Sequence, residues 1–277
     1  MPELPEVEVT RQGLLPHVPG HAVMAVWCGK LPLRRPLSRA ALERHVRGQV
    51  VEAVARRAKY LLLHLTSGAR LLLHLGMSGR LRLDPAEAPR QRHDHLELVL
   101  DSGLTLRLND ARRFGLVEVW PPTRAAALAA AFEADLGPEP LEPGFDGKLL
   151  RHHAGNSRRP IKELLLDSRV VVGVGNIYAS ESLFQAGIHP ATPGTELAPA
   201  QWRALGRAVP RVLRAAIAAG GTTISDFLQV GGESGYFQLE LAVYGRSGQP
   251  CRTCGQPIHK IIQGGRSTFF CPHCQRG

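Results

Sequence analysis

No stretch of the 277-residue sequence approaches the ~18 uninterrupted apolar residues of a membrane-spanning helix. The opening, Met1-Pro2-Glu3-Leu4-Pro5-Glu6, is acidic and broken by proline, unlike a secretory signal. The expected compartment is therefore the cytosol, with no membrane attachment. Internal repeats and low-complexity tracts are absent. Cysteine is nearly absent too: Cys28 stands alone until four more cluster in the last 27 residues. A reducing compartment disfavours structural disulfides, so such a cluster points to metal. Acidic charge is the scarcer sign, with 24 Asp and Glu against 34 Lys and Arg, a net charge of +10. That excess attracts polyanions, nucleic acid first and anionic membrane surface second.

Length allows two ordinary domains, and 44% apolar with 21% charged residues is a globular composition. From Ala22 to Trp120 short β-rich runs alternate with turn signals. Residues 60–65 and 70–75 flank Thr66-Ser67-Gly68, and 96–100 and 104–108 flank Asp101-Ser102-Gly103, so two hairpins are expected in a β-sandwich or barrel. An alanine-rich helix is expected from Arg124 to Leu136, with Thr123 as N-cap and Gly137 as stop. Gly137-Pro138-Glu139-Pro140 and the residues after it break helices and read as a linker. Helical periodicity follows at 160–166, 177–186 and 199–219, the last interrupted by Pro210. The fold class is α+β: an N-terminal β-sandwich domain (1–136), a linker (137–149), a helical domain (150–245) and a zinc finger (246–277).

Cys251-Arg-Thr-Cys254 and Cys271-Pro-His-Cys274 are two CxxC knuckles separated by sixteen residues. Two such pairs complete a tetrahedral thiolate shell for one Zn²⁺, with no open position for activating water, so the ion is structural. Its binding supplies most of the folding free energy of so small a unit. Lys260, Arg266 and Arg252 give the intervening hairpin a basic face suited to phosphate.

At the other end, removal of Met1 exposes the secondary amine of Pro2. An α-amine titrates near 8, so a useful fraction is a neutral nucleophile at pH 7, able to form an iminium with a sugar aldehyde. Glu3 and Glu6 place carboxylates within a few residues of it for proton transfer. While Met1 remains, the Pro2 nitrogen is a tertiary amide and inert.

Met1-Pro-Glu-Leu-Pro-Glu-Val-Glu8 resembles the amino terminus of the bacterial formamidopyrimidine-DNA glycosylase family. The similarity continues in order through Arg56-Arg-Ala-Lys-Tyr60, His74-Leu-Gly-Met-Ser-Gly79, His93-Asp-His95, Asp110-Ala-Arg-Arg-Phe-Gly115, Gly137-Pro-Glu-Pro-Leu141, Val172-Gly-Val-Gly-Asn-Ile-Tyr-Ala179, Gly220-Gly-Thr-Thr223 and the cysteine knuckles. It spans essentially the whole chain, and Val172–Ala179 resembles the family's helix–two-turns–helix signature.

The resemblance implies base-excision repair by a bifunctional glycosylase and abasic-site lyase. Such an enzyme removes 8-oxoguanine and formamidopyrimidines from duplex DNA, then cuts the strand by β,δ-elimination. Pro2 matches the nucleophile, Glu3 the catalytic acid, Glu6 a supporting carboxylate, and Lys59 a lysine beside the lesion. Met77, Arg112 and Phe114 match residues that fill the void left when the base is flipped out, Arg112 also facing the orphaned cytosine. His93, Asn176 and Arg266 match DNA contacts, the last two gripping phosphate, and Lys162 with the Arg158-Arg159 pair is expected to add non-specific electrostatic affinity for DNA. Residues 222–244 resemble a lesion-capping loop. The partner is double-stranded DNA carrying oxidised purines, and the expected state is a monomer in the bacterial cytosol at the nucleoid. Two positions depart from the pattern: Ser225 stands where at least one relative has lysine, and Ala111 where proline is usual. Two alternatives stay open. One is the sibling endonuclease VIII activity on oxidised pyrimidines, which lacks the Arg-Arg-Phe-Gly wedge. The other is a non-catalytic damaged-DNA binder.

Overall fold

The computed structural model describes residues 2–221 and 241–276. They divide into two compact units. One holds the chain through residue 134 together with Gly220 and Gly221; the other holds residues 135–219 and the described residues from 241 onward.

The first unit is the expected sandwich. Its strands are β1 (Val23–Cys28), β2 (Val51–Arg57), β3 (Tyr60–Leu65), β4 (Arg70–His74), β5 (Arg80–Pro85), β6 (Asp94–Leu100), β7 (Leu104–Asn109) and β8 (Leu116–Trp120). They form two four-stranded antiparallel sheets, ordered β1-β6-β7-β5 and β2-β3-β4-β8. Both expected hairpins are present as β3–β4 and β6–β7. Period-two alternation sends Leu61, Leu63, Leu71 and Leu73 of one sheet, and Leu81, Leu96, Leu98 and Leu106 of the other, into one shared core. The second sheet is apolar on both faces, because Leu62, Leu72 and Trp120 on its far side are covered by Ala125, Leu128 and Phe132 of α3 (Pro122–Ala134).

The far side of the first sheet is different. There Arg82, Glu97 and Arg107 are buried as ions. Arg82 forks onto both oxygens of Asp94 at 2.8 and 2.6 Å, Arg107 reaches Asp84 at 2.8 Å and Glu97 at 2.9 Å, and Arg90 caps Glu97 while lying over the Trp27 ring.

Two helices not expected from the sequence belong to this unit: α1 (Leu4–Leu14) and α2 (Arg39–His45). Pro5 occupies the first turn of α1, where a missing amide costs nothing, and Val7 and Leu14 enter the core.

The second unit contains α4 (Gly147–Ala154), α5 (Ile161–Leu166), α6 (Asn176–Ala186), α7 (Pro199–Ala218) and a hairpin of β9 (His259–Gln263) with β10 (Arg266–Phe270). The stretch expected as a linker is built into this unit. Gly137 N–H bonds Ser168 O, Pro138 O accepts from Val172, and α4 starts inside the expected linker at Gly147. A side chain at Gly137 would collide with the backbone of Arg169 and Val170, so close approach fixes the residue as glycine. The finger also packs as part of the unit: Phe184 of α6 and Tyr244 join Val243, Ile258 and Phe269 in one cluster with the cysteines. None of the described helices is long and apolar enough to cross a membrane.

Candidate functional site

Half-buried Pro2 directly precedes the first turn of α1. Glu3 and Glu6 follow it, each only 1% exposed. Glu6 Oε2 accepts the Glu3 amide at 2.8 Å, satisfying one orphan donor of the helix start and fixing both residues. Gly221, at φ +81, lies so close that a Cβ would sit 3.2 Å from Glu6 Oε1. α1 is held to β2 by Glu8, which accepts from Arg56 at 2.9 Å and Arg11 at 2.7 Å. Burial alone would raise the Glu8 pKa, but Arg11, Arg56 and Gln12 together bring it below its ordinary value.

Lys59 occupies the two-residue turn between β2 and β3, where Ala58 adopts φ +54 and accepts from Arg56 through its carbonyl at 3.0 Å. Across β3 and β4 the turn neighbours His74, paired in register with Tyr60. Burial, and then the charges of Arg34 and Lys59, push His74 down to about 4. Its Nδ1 accepts the Gly76 amide at 2.9 Å, as a neutral ring does.

Met77, Arg112 and Phe114 are all exposed, and one buried carboxylate organises their loops. Asp110 is fully buried; its Oδ1 accepts from Ser78 Oγ at 2.6 Å and its Oδ2 from Gly115 N at 2.7 Å. Ser78 Oγ accepts in turn from Arg112 N at 3.1 Å, and Asp110 O is bonded by His95 Nε2 at 3.0 Å. The Arg112 guanidinium lies 4.8 Å from the Phe114 ring centroid. Gly76, at φ +63, has its backbone against that of Phe114, leaving no room for a Cβ. His93 sits nearby at φ +74, its carbonyl accepting the Asp110 amide.

In the second unit α5 and α6 flank a buried turn, Val170 to Val174, that delivers Asn176 to the first position of α6. Asn176 Nδ2 donates to Ser267 O at 2.9 Å, beside exposed Arg266, so those two predicted residues share one corner. Lys162 is placed differently from the exposed Arg266. Expected as a DNA contact, it is 1% exposed and spends its ammonium inside the unit, on Thr268 Oγ1 at 2.6 Å and Ser267 O at 3.1 Å. A buried ammonium needs such partners, and here they weld α5 to the finger hairpin. Glu181, which sequence reasoning passed over, accepts the amides of Ala242, Val243 and Tyr244 at 2.8–3.0 Å and leads the chain into the finger. Its place among the buried Tyr178, Ser182 and Leu183 of α6 was the available signal.

The Sγ atoms of Cys251, Cys254, Cys271 and Cys274 all lie within 4.8 Å of one another, with Cys251–Cys274 at 4.0 Å and Cys254–Cys271 at 3.4 Å. A zinc shell with 2.3 Å bonds sets sulfurs about 3.8 Å apart. The amides of Thr253 and Cys274 point at Cys251 and Cys271 sulfurs at 3.4 Å. Without a cation, burial and then hydrogen bonds among the crowded sulfurs push Cys274 up to about 12. The donor set fits one tetrahedral Zn²⁺.

Three family models match in series: the formamidopyrimidine-DNA glycosylase N-terminal domain over residues 1–117, the formamidopyrimidine-DNA glycosylase H2TH domain over 136–228, and a zinc finger found in FPG and IleRS over 248–277. The chain belongs to the formamidopyrimidine-DNA glycosylase family. A formamidopyrimidine-DNA glycosylase of Geobacter sulfurreducens is 50% identical over 276 residues, covering 100% of both chains. Among solved structures, a Lactococcus lactis family member bound to DNA containing Fapy-dG aligns at TM-score 0.89 with 34% identity over 100% of both chains. The wild-type Lactococcus lactis protein bound to DNA containing an oxidised pyrimidine aligns at 0.87 with 33% identity, again over 100% of both. Family membership makes this chain a DNA-repair glycosylase with a structural zinc finger. The expected lesion-capping loop, Ser225 included, falls at 222–240 outside the described residues, apart from its last four positions.

Proposed function

We propose that this glycosylase excises oxidised purines, 8-oxoguanine and formamidopyrimidines, and then cuts the abasic strand through the amine of processed Pro2. The observation that carries this reading is the pair of buried carboxylates, Glu3 and Glu6, fixed to each other in the turn that follows Pro2. A solvated acidic terminus gives no reason to dehydrate two carboxylates there; a proton-transfer site does.

The Pro2 nitrogen attacks C1′ of the damaged nucleotide, and the electron pair of the glycosidic bond leaves with the base. Glu3 supplies a proton as the sugar ring opens to the iminium, and Glu6 holds the helix start in place. The iminium acidifies C2′, so loss of a proton expels the 3′ phosphate, and a second elimination expels the 5′ phosphate. Lys59 sits beside the reacting sugar as a cation, with neutral His74 adding no further charge. Met77 and Phe114 fill the gap left by the flipped nucleotide while Arg112 offers donors to the orphaned cytosine. Asn176 and Arg266 grip the phosphate backbone. Bound zinc keeps the hairpin carrying Arg266 folded. One chain supplies every group named, so the working unit is a monomer.

Borohydride trapping on a duplex with 8-oxoguanine opposite cytosine tests this, using protein whose amino terminus is verified by mass. A covalent adduct at Pro2, with strand cleavage when borohydride is omitted, is the expected result; protein bearing one extra residue before Pro2 gives neither. An adduct only on a thymine-glycol duplex moves the substrate to oxidised pyrimidines, the class named for the DNA of one relative's complex. No adduct on either duplex leaves a glycosylase without this amine chemistry.

A further inference from the structure

Helix α7 buries one face, including Trp202, Leu205, Val209, Val212 and Leu213. On the opposite face stand Arg203, Arg207, Arg211 and Arg214, all exposed. Spacings of four, four and three place them within an arc of about 80° and along about 16 Å of axis. α7 contains no Asp or Glu, and no carboxylate among the described residues pairs with any of the four. Like charges at i,i+4 work against a helix, so its own stability does not account for the row. Two of the guanidiniums are steadied from below: Arg211 donates to Gln185 Oε1 at 2.7 Å and Arg214 to Leu141 O at 3.4 Å. α4, likewise without a carboxylate, crosses α7 backbone to backbone at Gly147 and Gly206, and adds exposed Lys148 and Arg151. The row is distinct from the Asn176–Arg266 corner, since Gln185 lies about 14 Å along α6 from Asn176.

We propose that this face is a second contact for the phosphate backbone of duplex DNA, in addition to the Asn176–Arg266 corner. A duplex presents one phosphate per about 3.4 Å of axis on each strand, so a row of this length meets several in succession. Guanidinium forks match phosphate oxygens in pairs. The contact reads no sequence and adds retention on undamaged DNA.

The test is the slope of log binding constant against log salt for an undamaged 30-base-pair duplex, followed by fluorescence anisotropy. Each lost phosphate contact flattens that slope by about 0.9. R203Q/R207Q is expected to flatten it by about 0.9 to 1.8, and R203K/R207K to keep it. An unchanged slope in R203Q/R207Q with a native melting temperature overturns the proposal. Loss of poly-glutamate binding with an unchanged DNA slope also overturns it, assigning the face to an acidic protein. If the double variant fails to fold, R207Q alone is read against a flattening of about 0.9, and no flattening overturns the proposal.

Discussion

Asp110 does with one buried carboxylate what two loops cannot do for themselves. Met77 lies on one loop, Arg112 and Phe114 on another, and Ser78 Oγ and Gly115 N both donate to Asp110. Replacing it by alanine orphans a half-buried hydroxyl and a buried amide, the amide worth roughly 1–3 kcal/mol and the hydroxyl at the lower end of that range. Asp110→Ala is expected to cost on the order of 3 kcal/mol of stability, measured by urea unfolding. It should also slow insertion of the wedge, read by 2-aminopurine fluorescence opposite the lesion. A variant as stable as the parent would mean that solvent replaces the carboxylate and the hub is incidental. The sequence displayed Asp110 inside a recognisable block, but nothing in spacing says that its side chain faces inward. Glu8 was hidden for the same reason: charges near a terminus read as solvated until a partner such as Arg56, 48 residues away, is in view.

At the scale of elements, the hairpins, the helix pair around the Val170–Val174 turn, and the cysteine knuckles were legible because each is a local pattern. α1 was not, since prolines and glutamates at the start mask a helix whose burial is decided by β2 and β3. α4 was hidden by a helix-breaking stretch that ends just before its Asp146 N-cap. The finger's attachment was not legible either. It depends on Lys162, Asn176 and Glu181 reaching residues between 60 and 110 positions away. Zinc removal is therefore expected to disturb more than the finger. Chelation should release one Zn²⁺ per chain and abolish binding to a damaged duplex. Amide exchange should accelerate in α5 and at the start of α6 as well as in β9 and β10. Exchange confined to the hairpin would show that the Lys162 and Asn176 contacts carry no coupling.

The whole molecule should lose stability in acid in two stages. His74 is held at about 4 in the folded chain against 6.5 for its ordinary value. The unfolded chain therefore takes up a proton first, and stability falls between pH 6.5 and 4, by about 3 kcal/mol at most. Glu8 and Asp94 are both held below their ordinary values; burial opposes this, but the arginines beside them prevail. What they contribute is present above about pH 4 and is lost as pH falls through their lowered values. Melting temperature followed from pH 8 to 3 should show both stages, and His74→Asn should shrink only the first, to which His64 and His189, also lowered by burial, contribute as well. A flat profile between 6.5 and 4 in the parent would contradict a neutral, half-buried His74.

The ionic face of the first sheet has a further meaning when temperature is the variable. Arg82, Arg107, Asp94 and Glu97 were stripped of water to sit there. Dehydrating ions is most costly in the cold and becomes cheaper on warming, whereas apolar burial gains little more. The two sides of the sandwich are thus tuned to different parts of the thermometer: the leucine core carries the molecule through moderate temperatures, and the arginine–carboxylate face contributes relatively more as heat rises.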